Sequence, residues 1–205
     1  MLNSDAWKRH FESGLDTQAY LATGTDQQRG AWAKHADALS LTDDQASVLA
    51  AFKRDMNILV LSGLWCGDCV RQGPMLVRLA EQAGVGTGGG DGGAGGGARV
   101  RLRWLDRDAA PELQDLIQIN AGKRVPVAMF LSEDFHLVSW AGDKLLHRYR
   151  QMAAEQLGSG AQCPLPSAAA DSAELAAELS DWMDEFERVH LLLRLSGRLR
   201  KLHGD

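Results

Sequence analysis

Cysteine is scarce in this chain of 205 residues: there are three, Cys66, Cys69 and Cys163. That is a poor framework for structural disulfides, and two cysteines separated by two residues are then read as redox-active or metal-binding. Metal is not expected, because zinc usually takes about four ligands. The six histidines, His10, His35, His136, His147, His190 and His203, show no ligand spacing among themselves or with Cys163. Long apolar runs are missing too. None approaches the ~20 residues that span a bilayer, so no membrane association is expected. Met1 to Lys8 lacks a basic stretch followed by an apolar core, so no signal peptide is expected and the cytoplasm is the expected location. Nor is positive charge in excess: a net charge of −5 gives no electrostatic reason for nucleic-acid binding.

Against these absences stands one stretch, Asn57 to Pro74. Ile58 to Leu61 is an apolar run suited to a strand buried on both faces. The run breaks at Ser62-Gly63 and delivers Trp65-Cys66-Gly67-Asp68-Cys69 at the start of an amphipathic helix. That helix runs to about Ala83, with Val70, Met75, Leu76, Leu79 and Ala80 on its inner face. A pair at this spacing can close and reopen a disulfide. The helix start offers unpaired N–H groups and the positive end of a dipole, which make the first cysteine more acidic. The thiolate is the attacking species in disulfide exchange, so this location bears on rate.

The rest of the chain, with 45% hydrophobic residues, suffices for one core plus additions. Residues 1–41 read as a helical N-terminal extension with turns near Gly14 and Gly24, docking through Trp7, Phe11, Tyr20, Leu21 and Trp32. Thr42 with Gln45 matches a capping box and opens a helix to about Arg54. The glycine-rich run within residues 84–97 reads as a flexible loop. It lacks the Lys-Ser/Thr of a phosphate-binding loop and sits between helix and strand, the wrong order for a nucleotide fingerprint. Arg99 to Leu105 alternates as a strand at one side of a sheet. A short helix over Pro111 to Ile119 follows, then a hairpin of Val125–Leu131 and His136–Trp140, and a helix over Asp143 to Leu157. The order strand–helix–strand–helix–strand–strand–helix predicts an α/β fold, a mixed sheet with helices on both faces, over residues 42–157. Residues 158–170 read as a linker and 171–205 as a C-terminal helix, continuous from about Ala173 to Leu202. Its stripe of Leu175, Leu179, Trp182, Phe186, Val189 and Leu193 either docks on the chain's own surface or forms a dimer seam.

Trp65-Cys66-Gly67-Asp68-Cys69 with Pro74 resembles the active-site stretch of the thioredoxin superfamily, and Val125-Pro126 with its strand resembles that family's cis-proline segment. The chain is similar to bacterial thioredoxin-like proteins with a Trp-Cys-Gly-Asp-Cys motif, which share a segment like Arg107 to Leu113. The resemblance covers roughly residues 43 to 157. It implies a thioredoxin-like sheet and thiol–disulfide exchange with protein disulfides, with Cys66 as nucleophile and Cys69 as resolving thiol. Trp65, Gly67, Asp68, Val125 and Pro126 would shape or tune the groove. No cofactor is implied beyond the cysteine pair, and the partners would be a protein disulfide and a reductase or other thiol donor. Arg71 and Arg124 either add positive potential near the thiolate or are simply solvated. Three positions depart from the pattern. Val60 stands where many thioredoxins place a buried acid, Ser62 stands where an aromatic is expected, and Asp68 replaces the usual proline. Asp68 either repels the Cys66 thiolate or serves as the proton acceptor. Cys163 reads as an inert thiol or a third redox partner. The alternative function is an interaction or redox-sensing module without substantial turnover.

Overall fold

A computed structural model describes residues 2–84, 98–157 and 172–204. Most of the glycine-rich run, the linker and Cys163 lie outside the described residues.

The sheet grows from β1 (Met56–Ser62), whose seven residues are all buried. The apolar run predicts this, since a strand covered on both faces has no polar side to show. β1 pairs in parallel with β2 (Val100–Asp106) and antiparallel with β3 (Val127–Ser132), and β3 pairs antiparallel with β4 (Leu137–Gly142), giving the order β2-β1-β3-β4. β2 is thus an edge strand, as expected. Its outer edge is met by one backbone pair, Leu15 with Trp104, through two 2.8 Å hydrogen bonds.

Helices cover both faces, as the element order predicts. The N-terminal part forms α1 (Ser4–Ser13), α2 (Thr17–Ala22) and α3 (Asp26–Asp37), followed by α4 (Asp43–Ala50) and the motif helix α5 (Gly67–Gly84). After β2 come a single 3-10 turn (Arg107–Ala109) and α6 (Pro111–Leu116), and after β4 come α7 (Leu146–Leu157), α8 (Ser172–Leu195) and α9 (Gly197–His203). Ile58 and Val60 point into a core shared with Tyr20, Trp32, Met75, Leu76 and the α8 stripe. Leu59 and Leu61 point the other way, to Trp7, Phe11, Leu113, Ile117 and Cys69. Period-two alternation along β1 therefore separates two helix layers. Among the described residues no helix is long and apolar enough to cross a membrane.

The capping box forms as read, with Thr42 and Gln45 exchanging hydrogen bonds at 3.0 and 3.2 Å. α4 stops at Ala50, short of Arg54, and the Lys53 N–H donates to His190 Nε2 at 2.9 Å instead of to a helical carbonyl. α7 starts at Leu146 because Asp143 and Lys144 are engaged elsewhere in the site. α6 ends at Leu116, and Asn120 and Ala121 turn the chain with positive φ. The expected single C-terminal helix is two. Ser196 leaves helical geometry and its hydroxyl accepts from the Leu199 N–H, capping α9. The whole apolar stripe of α8 is buried in the chain's own core.

Candidate redox site

The strand-to-helix junction puts Cys66 one residue ahead of α5, in the capping position. Its carbonyl accepts from the Val70 N–H at 3.1 Å and its sulfur is half-buried. The N–H groups of Asp68 and Cys69 point at that sulfur, as they would at the oxygen of a serine cap. Cys69 lies one turn on and is fully buried. Both are free thiols.

The environments drive the two thiols apart. A hydrogen bond from Cys69 is the largest influence on Cys66. Burial opposes it, the two backbone N–H groups add to it, and the Asp68 carboxylate opposes it weakly, which leaves Cys66 at about 6. Burial pushes Cys69 far above an ordinary thiol. The half-buried Cys66 thiol therefore loses its proton near neutrality, while the fully buried Cys69 thiol keeps its own.

Around the pair, the Val125–Pro126 peptide is cis, and the Val125 carbonyl accepts from Cys66 Sγ at 3.7 Å. Gly142, paired with Val127 across β3 and β4, lies hard against the Pro126 backbone. Its φ is +136°, and a Cβ there would meet the Pro126 carbonyl oxygen at 2.1 Å. Trp65 is half exposed beside the motif, with the Arg107 guanidinium 4.4 Å from its ring centre. Gly67 is exposed at the first position of α5, with open space where a Cβ would stand. An open depression lined by Ile119, Val127, Trp140 and Gly142 starts next to Pro126.

Asp68 is not a free charge. Its carboxylate accepts from Lys144 Nζ at 2.8 Å. Burial pulls Lys144 down, yet its bonds to Asp68 and Asp143 outweigh burial and hold it above its ordinary value. Asp143 is buried and accepts from Tyr149 at 2.6 Å and Arg124 at 3.2 Å. Burial raises its pKa, but these donors together with Lys144 outweigh that and hold it below the usual carboxylate range.

The two candidate cations are spent elsewhere. Arg71 turns to α8 and pairs with Glu178 at 2.8 Å and Glu174 at 3.5 Å, and Arg124 pairs with Asp143. Lys144 is the cation that sequence reasoning missed, and nothing around it marks it: its partner lies 76 positions away. Arg107 had a signal, since it opens the segment through Leu113 noted in the sequence. The place of a buried acid is apolar, with Val60 fully buried between Trp104 and Ala128. Ser62 is buried too. It accepts from the Tyr20 hydroxyl at 2.9 Å and is a hydrogen-bond partner of Cys69. Among the described residues, no group of three or more acidic, histidine or cysteine side chains is placed to hold a metal.

Comparison with known proteins points the same way as the geometry. Residues 14–86 match the model of a family described as thioredoxin, a span from the end of α1 through the cysteine pair to the end of α5. No curated protein matches the chain. A crystal structure of a protein of unknown function from Pseudomonas aeruginosa is similar, with a TM-score of 0.63 and 18% identity over 92% of this chain and 97% of that one. An HIV epitope scaffold is similar with a TM-score of 0.55 and 18% identity, over 97% of this chain and 98% of that one. The protein has a thioredoxin-like α/β fold, a mixed four-stranded sheet with flanking helices, and its residues 14–86 resemble the thioredoxin family in sequence.

Proposed function

We propose that the protein is a thiol–disulfide oxidoreductase acting on protein disulfides. The observation that carries this reading is the split of one cysteine pair into an acidic, accessible thiol and a buried, weakly acidic one. The Cys66 thiolate attacks one sulfur of the substrate disulfide. A Cys66–substrate disulfide forms, and the other substrate sulfur leaves with the electron pair and takes up a proton. Cys69 then loses its proton and attacks Cys66 Sγ. The Cys66–substrate bond breaks, the second substrate sulfur leaves as a thiol, and Cys66–Cys69 closes as a disulfide. Two electrons have passed to the substrate, and an external dithiol or reductase returns them, so no bound cofactor is needed. A reducing compartment such as the cytoplasm suits that cycle.

Trp65, Val125 and Pro126 form the groove wall where an extended substrate segment would lie, with the depression at Trp140 as its continuation. The test is reduction of insulin by dithiothreitol with and without the protein. Acceleration that is lost in Cys66→Ser, with a trapped mixed disulfide in Cys69→Ser, is the expected result. No acceleration above the donor alone would refute turnover and leave an interaction or redox-sensing module.

A further inference from the structure

The reaction above has one step for which the site offers no carboxylate where one would be expected. Cys69 must become a thiolate inside the protein, fully buried, in order to attack the mixed disulfide. An anion formed there without a donor is costly. Asp68 bonds to Lys144, and position 60 is a valine. Two polar groups at the end of β1 face Cys69, the Gly63 backbone N–H and the hydroxyl of Ser62, the last residue of β1; the side-chain donor of the two is the hydroxyl. Behind it stands the Tyr20 hydroxyl, which donates to Ser62 Oγ at 2.9 Å, with both residues buried.

That second hydroxyl comes from the N-terminal helices and is held rigidly. The Tyr20 ring stacks on Trp104 with centres 5.0 Å apart and 8° between planes, and Trp32 closes on both rings edge-on at 6.3 and 5.4 Å. Trp104 is in turn fixed by its backbone pair with Leu15 and by its indole N–H, which donates to Thr17 at 3.0 Å. A serine hydroxyl has one hydrogen. With its oxygen already accepting from Tyr20, that hydrogen is free to point at the sulfur.

We propose that Ser62 donates a hydrogen bond to the Cys69 thiolate in the resolving step and that Tyr20 positions it, so that a buried hydroxyl pair does what a buried acid would otherwise do. Tyr20 is a donor here and not a base. Burial is the main cause that raises its pKa, the hydrogen bond with Ser62 partly opposes this, and the electrostatic influence of Cys69, Asp106 and Cys66 adds to it, so Tyr20 stays protonated throughout the working range. The proton that leaves Cys69 ends on the departing substrate sulfur. The new bond is Cys66 Sγ–Cys69 Sγ and the broken one is Cys66 Sγ–substrate. A further consequence is that the N-terminal helices are part of the redox machinery and not only packing. The inference rests on the exchange reading above.

The test uses the full chain in a Cys163→Ser background with an aromatic disulfide reagent whose released thiolate is coloured. Attack by Cys66 releases one equivalent, and resolution by Cys69 releases a second. Ser62→Ala should leave the first phase intact, slow the second about tenfold and move its pH midpoint upward, as loss of a hydrogen bond to a charged group predicts. Tyr20→Phe keeps the ring stack and should slow the second phase about threefold, with the same upward direction, because it only frees Ser62 to turn away. Ser62→Thr should restore most of the rate. A second phase of wild-type rate and pH midpoint in both Ser62→Ala and Tyr20→Phe would overturn the proposal. So would equal slowing of both phases in Tyr20→Phe, which would mark a structural role. If the unsubstituted protein shows no second phase that Cys69→Ser removes, the exchange reading itself fails and takes the inference with it.

Discussion

Acid is the perturbation that separates Cys66 from an ordinary thiol. Its environment moves it from 9.0 to about 6. At pH 7 about nine-tenths of Cys66 is then thiolate, against about one-hundredth for an unperturbed thiol, roughly a 90-fold gain in attacking species. A weaker base is also a weaker nucleophile. With a Brønsted coefficient of about 0.45, that added acidity costs roughly 20-fold in intrinsic reactivity, leaving a net advantage of about fourfold at pH 7. At pH 5 the thiolate ratio is roughly 900-fold and the net advantage about 40-fold, whereas in strong alkali Cys66 should be the slower thiol. The sign follows from the cause: the hydrogen bonds from Cys69 and the backbone favour the charged form, so reactivity persists as pH falls and is lost only below about 6. The assay is iodoacetamide labelling of the reduced Cys163→Ser protein across pH, with mass-spectrometric assignment of the labelled residue. Cys66 should label first, with a midpoint near 6. Labelling of Cys69 first, or a single midpoint at the ordinary thiol value, would refute the assignment of roles.

Replacing Asp68 with Asn should lower the Cys66 pKa further by roughly half a unit and make the disulfide a stronger oxidant, because the carboxylate opposes the thiolate while Lys144 and solvent screen it. Titration of the thiolate's ultraviolet absorbance checks this, and an unchanged or raised value would instead favour Asp68 as proton acceptor. Gly73→Ala should destabilise the fold by up to about 2 kcal/mol. The gain in helix propensity of about 1 kcal/mol is outweighed by about 1–3 kcal/mol of overpacking, since the new Cβ would meet the Trp32 ring at 2.1 Å. Urea unfolding measures it, and equal or greater stability would show that Trp32 moves aside freely.

How much of this was readable in advance depends on how far apart the interacting residues lie. The buried strand, the cysteines at a helix start, the Thr42 capping box and the β3–β4 hairpin involve residues within a few positions of each other. Periodicity and local hydrogen bonding decide such features before the chain has any tertiary path. The α8 stripe was visible for the same reason, since four- and three-residue steps place its members on one face. What covers that face was not visible, because burial against α5 and the sheet depends on where the helix lands.

The same limit divides the site. Cys66, Cys69 and the N–H groups that make Cys66 acidic come from one turn of chain, and the sequence by itself determined them. The partners that set the charges around them come from far away. Tyr20 reaches Ser62 across 42 positions, and Lys144 reaches Asp68 across 76. Arg71, a candidate cation near the thiolate, lies on α5 with the cysteines, yet it turns to Glu178 on α8. A charged side chain goes to whichever opposite charge shares its buried surroundings. Only the packing of α8 against α5, of the segment between β4 and α7 against the start of α5, and of the N-terminal helices against β1, β2 and α5 decided which charges and hydroxyls those would be.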